Sequence, residues 1–235
     1  MVTINVDPQE LEKFGQLAHR WWDPNSEFKP LHDINPLRLG WIIDNAGGIR
    51  GKRVIDVGCG GGILAEAMAD QGAEVTGIDL SERSLKVAQL HLLESGRQVA
   101  YRNAAVEDLA HEQPETFDVV TCMEVLEHVP DPAAHIAACA RLLKPNGHAF
   151  FATINRNPKS FLFAIVGAEY LLGLLPRGTH EYAKLIRPSE LANWCRSAGL
   201  DVQRMIGMTY NPLRRVYSLG PDTDVNYMLC AQYRR

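Results

Sequence analysis

The stretch Arg53-Val-Ile-Asp-Val-Gly-Cys-Gly-Gly-Gly62 limits what this chain can fold into more than any other. Val54, Ile55 and Val57 form an apolar, β-branched run suited to a parallel strand covered on both faces. Gly58, Gly60, Gly61 and Gly62 then let the backbone bend sharply and approach a ligand with no Cβ in the way. Ile63-Leu-Ala-Glu-Ala-Met-Ala69 supplies a helix behind the loop. Asp56, two residues ahead of the first glycine, puts a carboxylate near the turn, placed to meet a cationic or hydroxyl-bearing ligand. Cys59 either lines the same pocket or fills space as a small buried hydrophobe.

Two cofactor classes fit a strand, glycine loop and helix. Gly60-x-Gly62-x-x-Ala65 satisfies the dinucleotide fingerprint, in which a pyrophosphate sits on the helix N-terminus. Asp56-x-Gly58-x-Gly60-x-Gly62 also matches the first motif of S-adenosylmethionine-dependent methyltransferases. A ligand-free tight turn is the weaker reading, because four glycines in five positions cost backbone entropy.

The remaining segments alternate strand and helix. Glu74-Val-Thr-Gly-Ile-Asp79 reads as a second strand, Ser81 caps a helix to about Ser95, and Gln98 to Arg102 reads as a third strand. Such alternation points to a parallel, doubly wound sheet. Asp79, followed by Leu80, stands where this architecture places a carboxylate on ribose hydroxyls. Val106, Glu107 and Asp108 follow the third strand, on the adenine side of such a fold; the two acids equally suit a plain loop. The 235 residues suffice for one such domain. A net charge of -4 gives no electrostatic footprint for nucleic acid. The five scattered cysteines form no C-x-x-C pair and suit a reducing cytosol. The N-terminus lacks a secretory pattern, so a cytoplasmic location is expected.

Ahead of the glycine loop, Asp7-Pro8-Gln9-Glu10 predicts a helix start running to about Trp22. The aromatic, proline-rich segment from Trp21 to Asn35 serves as a lid or as a packed connection. Asn35-Pro36 opens a second helix with Leu39, Ile42, Ile43 and Ala46 on one face, ended by Gly47-Gly48. Arg38 falls off that face; it is a solvated arginine or a hand on a cofactor carboxylate, and spacing alone favours the first.

Phe117 to Met123 predicts a fourth strand, with Glu124, Glu127 and His128 at its carboxyl end, the edge where open α/β sheets bind ligands. If the chain turns helical after Met123, these three share a face by i, i+3, i+4 spacing. That face would bind a divalent metal or hold a general base, or its members are simply solvated or packed. Pro145-Asn-Gly147 then turns into a fifth strand.

Asp56 to Gly62, Asp79, the Phe117 to Met123 strand and Leu142-Leu-Lys-Pro-Asn-Gly147 together resemble the class I S-adenosylmethionine-dependent methyltransferases in order and spacing. Over nearly its whole length the chain resembles the ubiquinone-biosynthesis O-methyltransferase family. The distinctive stretches are Arg20-Trp-Trp-Asp23, Glu27 to His32, Ile34 to Gly40, Cys122 to Pro132, Gly167-Ala-Glu-Tyr170 and Asp224 to Met228. The resemblance implies a Rossmann-like fold with a mainly parallel seven-stranded sheet, helices on both faces and an antiparallel last strand. It implies methylation of catechol-type hydroxyls on polyprenylated intermediates at two steps. It promotes Arg38, with Gly58, Asp79 and Met123, to cofactor contacts, and aligns Glu124, Glu127 and His128 with a magnesium-binding cluster of eukaryotic relatives.

One domain is expected over residues 1–235, with a helical cap at 1–50, a cofactor core at 51–155, an apolar insert at 156–187 and a C-terminal helix and strands at 188–235. The insert, rich in Phe and Leu and flanked by Arg156, Lys159, Arg177, Lys184 and Arg187, suits peripheral contact with an anionic membrane or a cover over the substrate. A ubiquinone-biosynthesis complex is a further expected partner. An NAD(P)-dependent oxidoreductase and a non-catalytic methyltransferase-like scaffold remain as alternatives.

Overall fold

The computed structural model describes residues 5, 7–9, 12, 17–26, 28–160 and 182–234. Its centre is one sheet of eight strands: β1 Arg53–Val57, β2 Glu74–Asp79, β3 Val99–Asn103, β4 Phe117–Met123, β5 Leu143–Ile154, β6 Leu200–Asn211, β7 Val216–Gly220 and β8 Asn226–Tyr233. They lie in the order β3-β2-β1-β4-β5-β8-β6-β7. The first five pair in parallel, whereas β8 runs antiparallel between β5 and β6, and β7 pairs antiparallel with β6. The sheet thus has eight strands rather than seven. The extra one is an edge hairpin, closed where the Asn211 side chain accepts the Leu213 and Arg214 N–H groups and Arg215 turns left-handed at φ 54°.

The helices are α1 Lys29–Asn45, α2 Ile63–Asp70, α3 Glu82–Ser95, α4 Val106–Glu112, α5 Pro132–Leu142 and α6 Pro188–Ser197. Side chains alternate across each strand, so two cores form. Ile55, Val57, Val120, Cys122 and Phe151 pack with α4, α5 and α6, while Val54, Val119, Phe150 and Ala152 pack with α1 and α2. Asp56 and Thr121, paired in register across β1 and β4, fall on the α1 side. Strand order reverses between β1 and β4, which opens a crevice at their carboxyl ends.

Helix α1 starts six residues before the Asn35-Pro36 position that its sequence suggests. Pro30 takes the first turn, where a missing N–H costs nothing, and Pro36 is carried inside the helix. The helix expected from Pro8 to Trp22 is helical at Pro8, Gln9, Glu12 and Leu17 among the described residues, then tightens to a 3-10 turn over Ala18–Arg20. Most of the apolar insert lies outside the described residues. Among those described, no helix is long and apolar enough to cross a membrane.

Candidate active site

The glycine loop leaves β1 at the crevice and is tied to β2. The Gly58 and Cys59 N–H groups both donate to the Ile78 carbonyl, at 2.8 and 3.0 Å. Asp79 accepts the Gly60 N–H at 2.9 Å and the Ser81 N–H at 2.7 Å, so one carboxylate holds the loops after β1 and β2 together. Burial raises the Asp79 pKa, while hydrogen bonds from Ser81, Gly60 and Leu80 pull the other way. A carboxylate offers about four acceptor sites, so capacity remains for a ligand hydroxyl. Gly58 sits at φ 70°, and a Cβ there would overlap Val125. Leu80 is half-buried beside Asp79.

A strap from the N-terminal segment covers this loop. The Trp21 indole occupies the space that side chains at Gly60 and Gly61 would fill, and its ring stacks on Phe28 at 4.2 Å. Trp22 Nε1 donates to the Gly61 carbonyl at 2.8 Å while its ring lies flat on His91 at 3.4 Å. His91 in turn contacts the buried Glu66 carboxylate at 2.8 Å. Of the two sequence readings of this segment, the described part is a packed cover over the glycines.

On the α1 side of the crevice, Arg38 is only 6 % exposed and pairs with Glu124. The spacing argument for a solvated arginine therefore fails: α1 turns this residue toward the ends of the strands. Arg38 Nε has no hydrogen-bond partner although it is buried. Asp56 accepts from Thr121 Oγ1 at 2.7 Å. Burial pushes its pKa up to about 7; Thr121 and the Arg38 charge oppose the rise and the Asp79 charge adds to it. Glu124 adopts φ 56°, a strained angle for a residue with a side chain, and also accepts from Asn226 Nδ2 at 3.1 Å.

The chain does not turn α-helical after Met123. Glu124 is left-handed and only Leu126–His128 forms a 3-10 turn, so one α-helical face does not carry the three acceptor-side groups. Glu127 points into the sheet, where one oxygen accepts from Thr153 Oγ1 at 2.8 Å and the other, also buried, has no partner. Burial, reinforced by the Glu124 charge, raises Glu127 to about 8 against the opposing pull of His128, its own backbone N–H and Thr153. Among the described residues, the set of three whose ligand atoms lie within 4.8 Å of one another is Cys122, His135 and Cys139, not Glu124, Glu127 and His128.

The remaining candidates surround this floor. Met123 and Cys59 are buried, and burial holds the Cys59 thiol well above its usual range, which suits a packing role. Val106 is buried at the start of α4, and Asp108 beside it is exposed. Glu107 is half-buried: desolvation pushes it up, but the His135 imidazole 3.4 Å away, its own N–H and Asn5 bring it below the usual carboxylate range. Sequence reading offered the segment from Trp21 as a lid without naming the glycine loop beneath it, and missed Thr121, Thr153 and Asn226. These last three are ordinary strand residues whose partners lie 65, 26 and 102 positions away. Only the paired tryptophans carried a signal.

A hydroxyl acceptor at Asp79, a buried guanidinium with a spare donor at Arg38 and a Cβ-free loop between them suit a ligand bearing ribose hydroxyls and a carboxylate. The comparisons with known proteins agree. The family model described as a methyltransferase domain matches residues 10–204. The ubiquinone biosynthesis O-methyltransferase of Nitrosospira multiformis is 69 % identical over 227 residues, covering 97 % of this chain and 95 % of its own. The protein of that name from Nitrosomonas europaea is 68 % identical, covering 96 % of each chain. In fold, the chain is similar to magnesium protoporphyrin IX methyltransferase of Synechocystis with bound S-adenosylmethionine, at TM-score 0.64 and 20 % identity, covering 98 % of this chain and 100 % of that one. An S-adenosylmethionine-dependent methyltransferase of Thermotoga maritima gives TM-score 0.69 at 17 % identity, over 96 % and 99 % of the two chains. The oxidoreductase reading of the glycine loop is thereby set aside. The chain belongs to the ubiquinone biosynthesis O-methyltransferase family.

Proposed function

We propose that Asp79, Arg38 and the loop from Gly58 to Gly62 hold S-adenosylmethionine, and that Glu124, Glu127 and His128 receive the acceptor hydroxyls. The observation that carries this reading is the buried Arg38 to Glu124 pair, which joins the cofactor side of the crevice to the acceptor side. Bound S-adenosylmethionine supplies an electrophilic methyl group on a sulfonium. The chain must therefore align an oxygen with that methyl and remove its proton. Taking a phenol of pKa about 10 to phenolate at pH 7 costs about 4 kcal/mol, at about 1.4 kcal/mol per pH unit. His128 takes this proton as general base. Glu127, raised to about 8 by burial, is mostly protonated at neutral pH and is not the base in this reading. Arg38, once paired with the cofactor carboxylate, frees Glu124 for the acceptor.

The same three residues are the donors that a magnesium ion would use. A hard cation would draw the proton off Glu127 and engage its orphaned buried oxygen beside Glu124, once the three ligand atoms close from their present spacing. The ion would supply Lewis acidity at paired catechol oxygens.

The acceptor class is a catechol or quinol ring carrying a polyprenyl tail, methylated at two steps, on 2-polyprenyl-6-hydroxyphenol and on 3-demethylubiquinol. The shared name of the relatives supports it. The experiment that tests the site is turnover on both acceptors by the parent and by His128→Ala, before and after chelation and magnesium repletion. The parent should methylate both, and His128→Ala should lose about 100-fold or more, the usual yield of a positioned base. Full activity in His128→Ala together with chelator-insensitive turnover would remove the cluster from the mechanism.

Such a tail is insoluble in water, so the reading includes peripheral work at an anionic membrane, alongside other enzymes of the same biosynthesis. Of the flanking cations, Arg156 pairs with Glu190, Lys159 with Asp222 and Asp224, and Lys184 with Asp7. The apolar residues therefore carry this reading more than the charges do. Co-sedimentation with anionic liposomes should be lost in Phe161→Asp/Leu172→Asp; equal sedimentation of parent and variant would overturn it.

A further inference from the structure

Below the acceptor cluster, on the face of β4 that packs against α5, lies a group of side chains that the methyl-transfer site does not use. Cys122 at the end of β4 and His135 and Cys139 on α5 are all buried, at 0, 6 and 0 % exposure. His135 and Cys139 are four residues apart and so share one helix face, turned toward the strand. One ligand atom from each of the three lies within 4.8 Å of the other two. Neither His135 ring nitrogen makes a hydrogen bond of good geometry, although the residue is buried. His135 Nδ1 stands 3.4 Å from Glu107 Oε1, which Asn5 Nδ2 also contacts at 3.2 Å.

From this geometry we propose that Cys122, His135 and Cys139 form a zinc site stapling α5 to the end of β4. Donor chemistry selects the ion: two thiols and an imidazole are soft to borderline ligands, unlike the oxygen donors that magnesium or calcium prefer. Charge selects it further. Two thiolates and Zn²⁺ sum to zero, which an apolar core tolerates, whereas a monovalent ion would leave a net buried charge. Zinc binds sulfur at about 2.3 Å and nitrogen at about 2.0 to 2.1 Å, so tetrahedral ligand atoms stand about 3.5 to 3.8 Å apart. Closing from the observed span takes side-chain shifts of about an ångström. Glu107 supplies the outer carboxylate that commonly orients a ligating histidine. Three donors leave one coordination position open.

Binding is balanced by proton release. Each thiol gives up its proton as its sulfur bonds to zinc, so one Zn²⁺ taken up releases two H⁺ from the cysteines. Because uptake releases protons, it strengthens as pH rises. The staple would fix the strand end one residue before Met123, beneath the cofactor and acceptor groups.

The test is metal analysis and cobalt spectroscopy on the full chain purified without chelator. One zinc per chain is expected after gel filtration. Exchange for Co²⁺ should give a thiolate-to-cobalt charge-transfer band that survives in Cys230→Ser, whose cysteine lies in the other core. The band should vanish in Cys122→Ser/Cys139→Ser, and Glu107→Gln should weaken metal affinity about 10- to 100-fold. The parent spectrum decides the question even where a variant fails to fold. Absence of the band in the parent, or its persistence in the double cysteine variant, would overturn the site. So would finding Cys122 and Cys139 joined in a disulfide with no metal bound.

Discussion

Asp79 illustrates how one carboxylate can serve both fold and ligand. It holds the Gly60 and Ser81 N–H groups and, in the proposed function, the cofactor ribose. Loss of a hydrogen bond to a charged group costs about 1.5 to 3 kcal/mol. Asp79→Ala should therefore bind S-adenosylmethionine roughly 10- to 150-fold more weakly in calorimetry, and unchanged affinity would remove Asp79 from the cofactor site. At this scale the sequence was legible where chemistry is local: the acid ending β2 and the glycines after β1 follow from the fold pattern. Arg38 was not, because its direction depends on how α1 docks over the sheet rather than on periodicity within the helix. The left-handed Glu124 was equally hidden, since nothing in Met123-Glu-Val125 announces a positive φ.

Among the elements, β4 and the turn after it carry the electrostatic character of the site. Asp56 and Glu127 hold their protons more tightly folded than unfolded, with values of about 7 and about 8 against ordinary values of 3.8 and 4.5. Burial is the leading cause for both. The stability tied to these protons is complete below about pH 4 and is lost as pH rises through about 7 and then 8. The melting temperature of the cofactor-free chain should therefore fall between about pH 5 and pH 8. Glu127→Gln stays neutral throughout and should flatten the upper part of that fall; an unchanged slope would contradict the burial account. Strands β1 to β4 were readable in outline because parallel strands between helices are dense in β-branched and apolar residues. Helix α1 was misjudged at its start because proline fits both a first turn and, at a cost, an interior position. Strand β7 escaped because a short, half-exposed edge hairpin has little hydrophobic signal.

Taken as a whole, the molecule is a parallel half that binds cofactor and an antiparallel half that braces it. Strand β8 sits between β5 and β6, and its Asn226 reaches Glu124 at the crevice, so the C-terminal strands shape the acceptor side as well as the core. The N-terminal strap closes the other side through Trp21 and Trp22. Both contributions come from chain ends far apart in sequence, which local patterns do not join. In the proposed function, the crevice on which they converge, between Asp79 and His128, is where the methyl group is transferred. The most direct measurement supplies the full chain with S-adenosylmethionine bearing a deuterated methyl and a short-chain prenyl catechol, then locates the label by mass spectrometry. The expected result is one deuterated methyl on a ring oxygen for each S-adenosylhomocysteine formed. Cofactor binding without label on the catechol oxygen, or label on a ring carbon, would contradict the assignment.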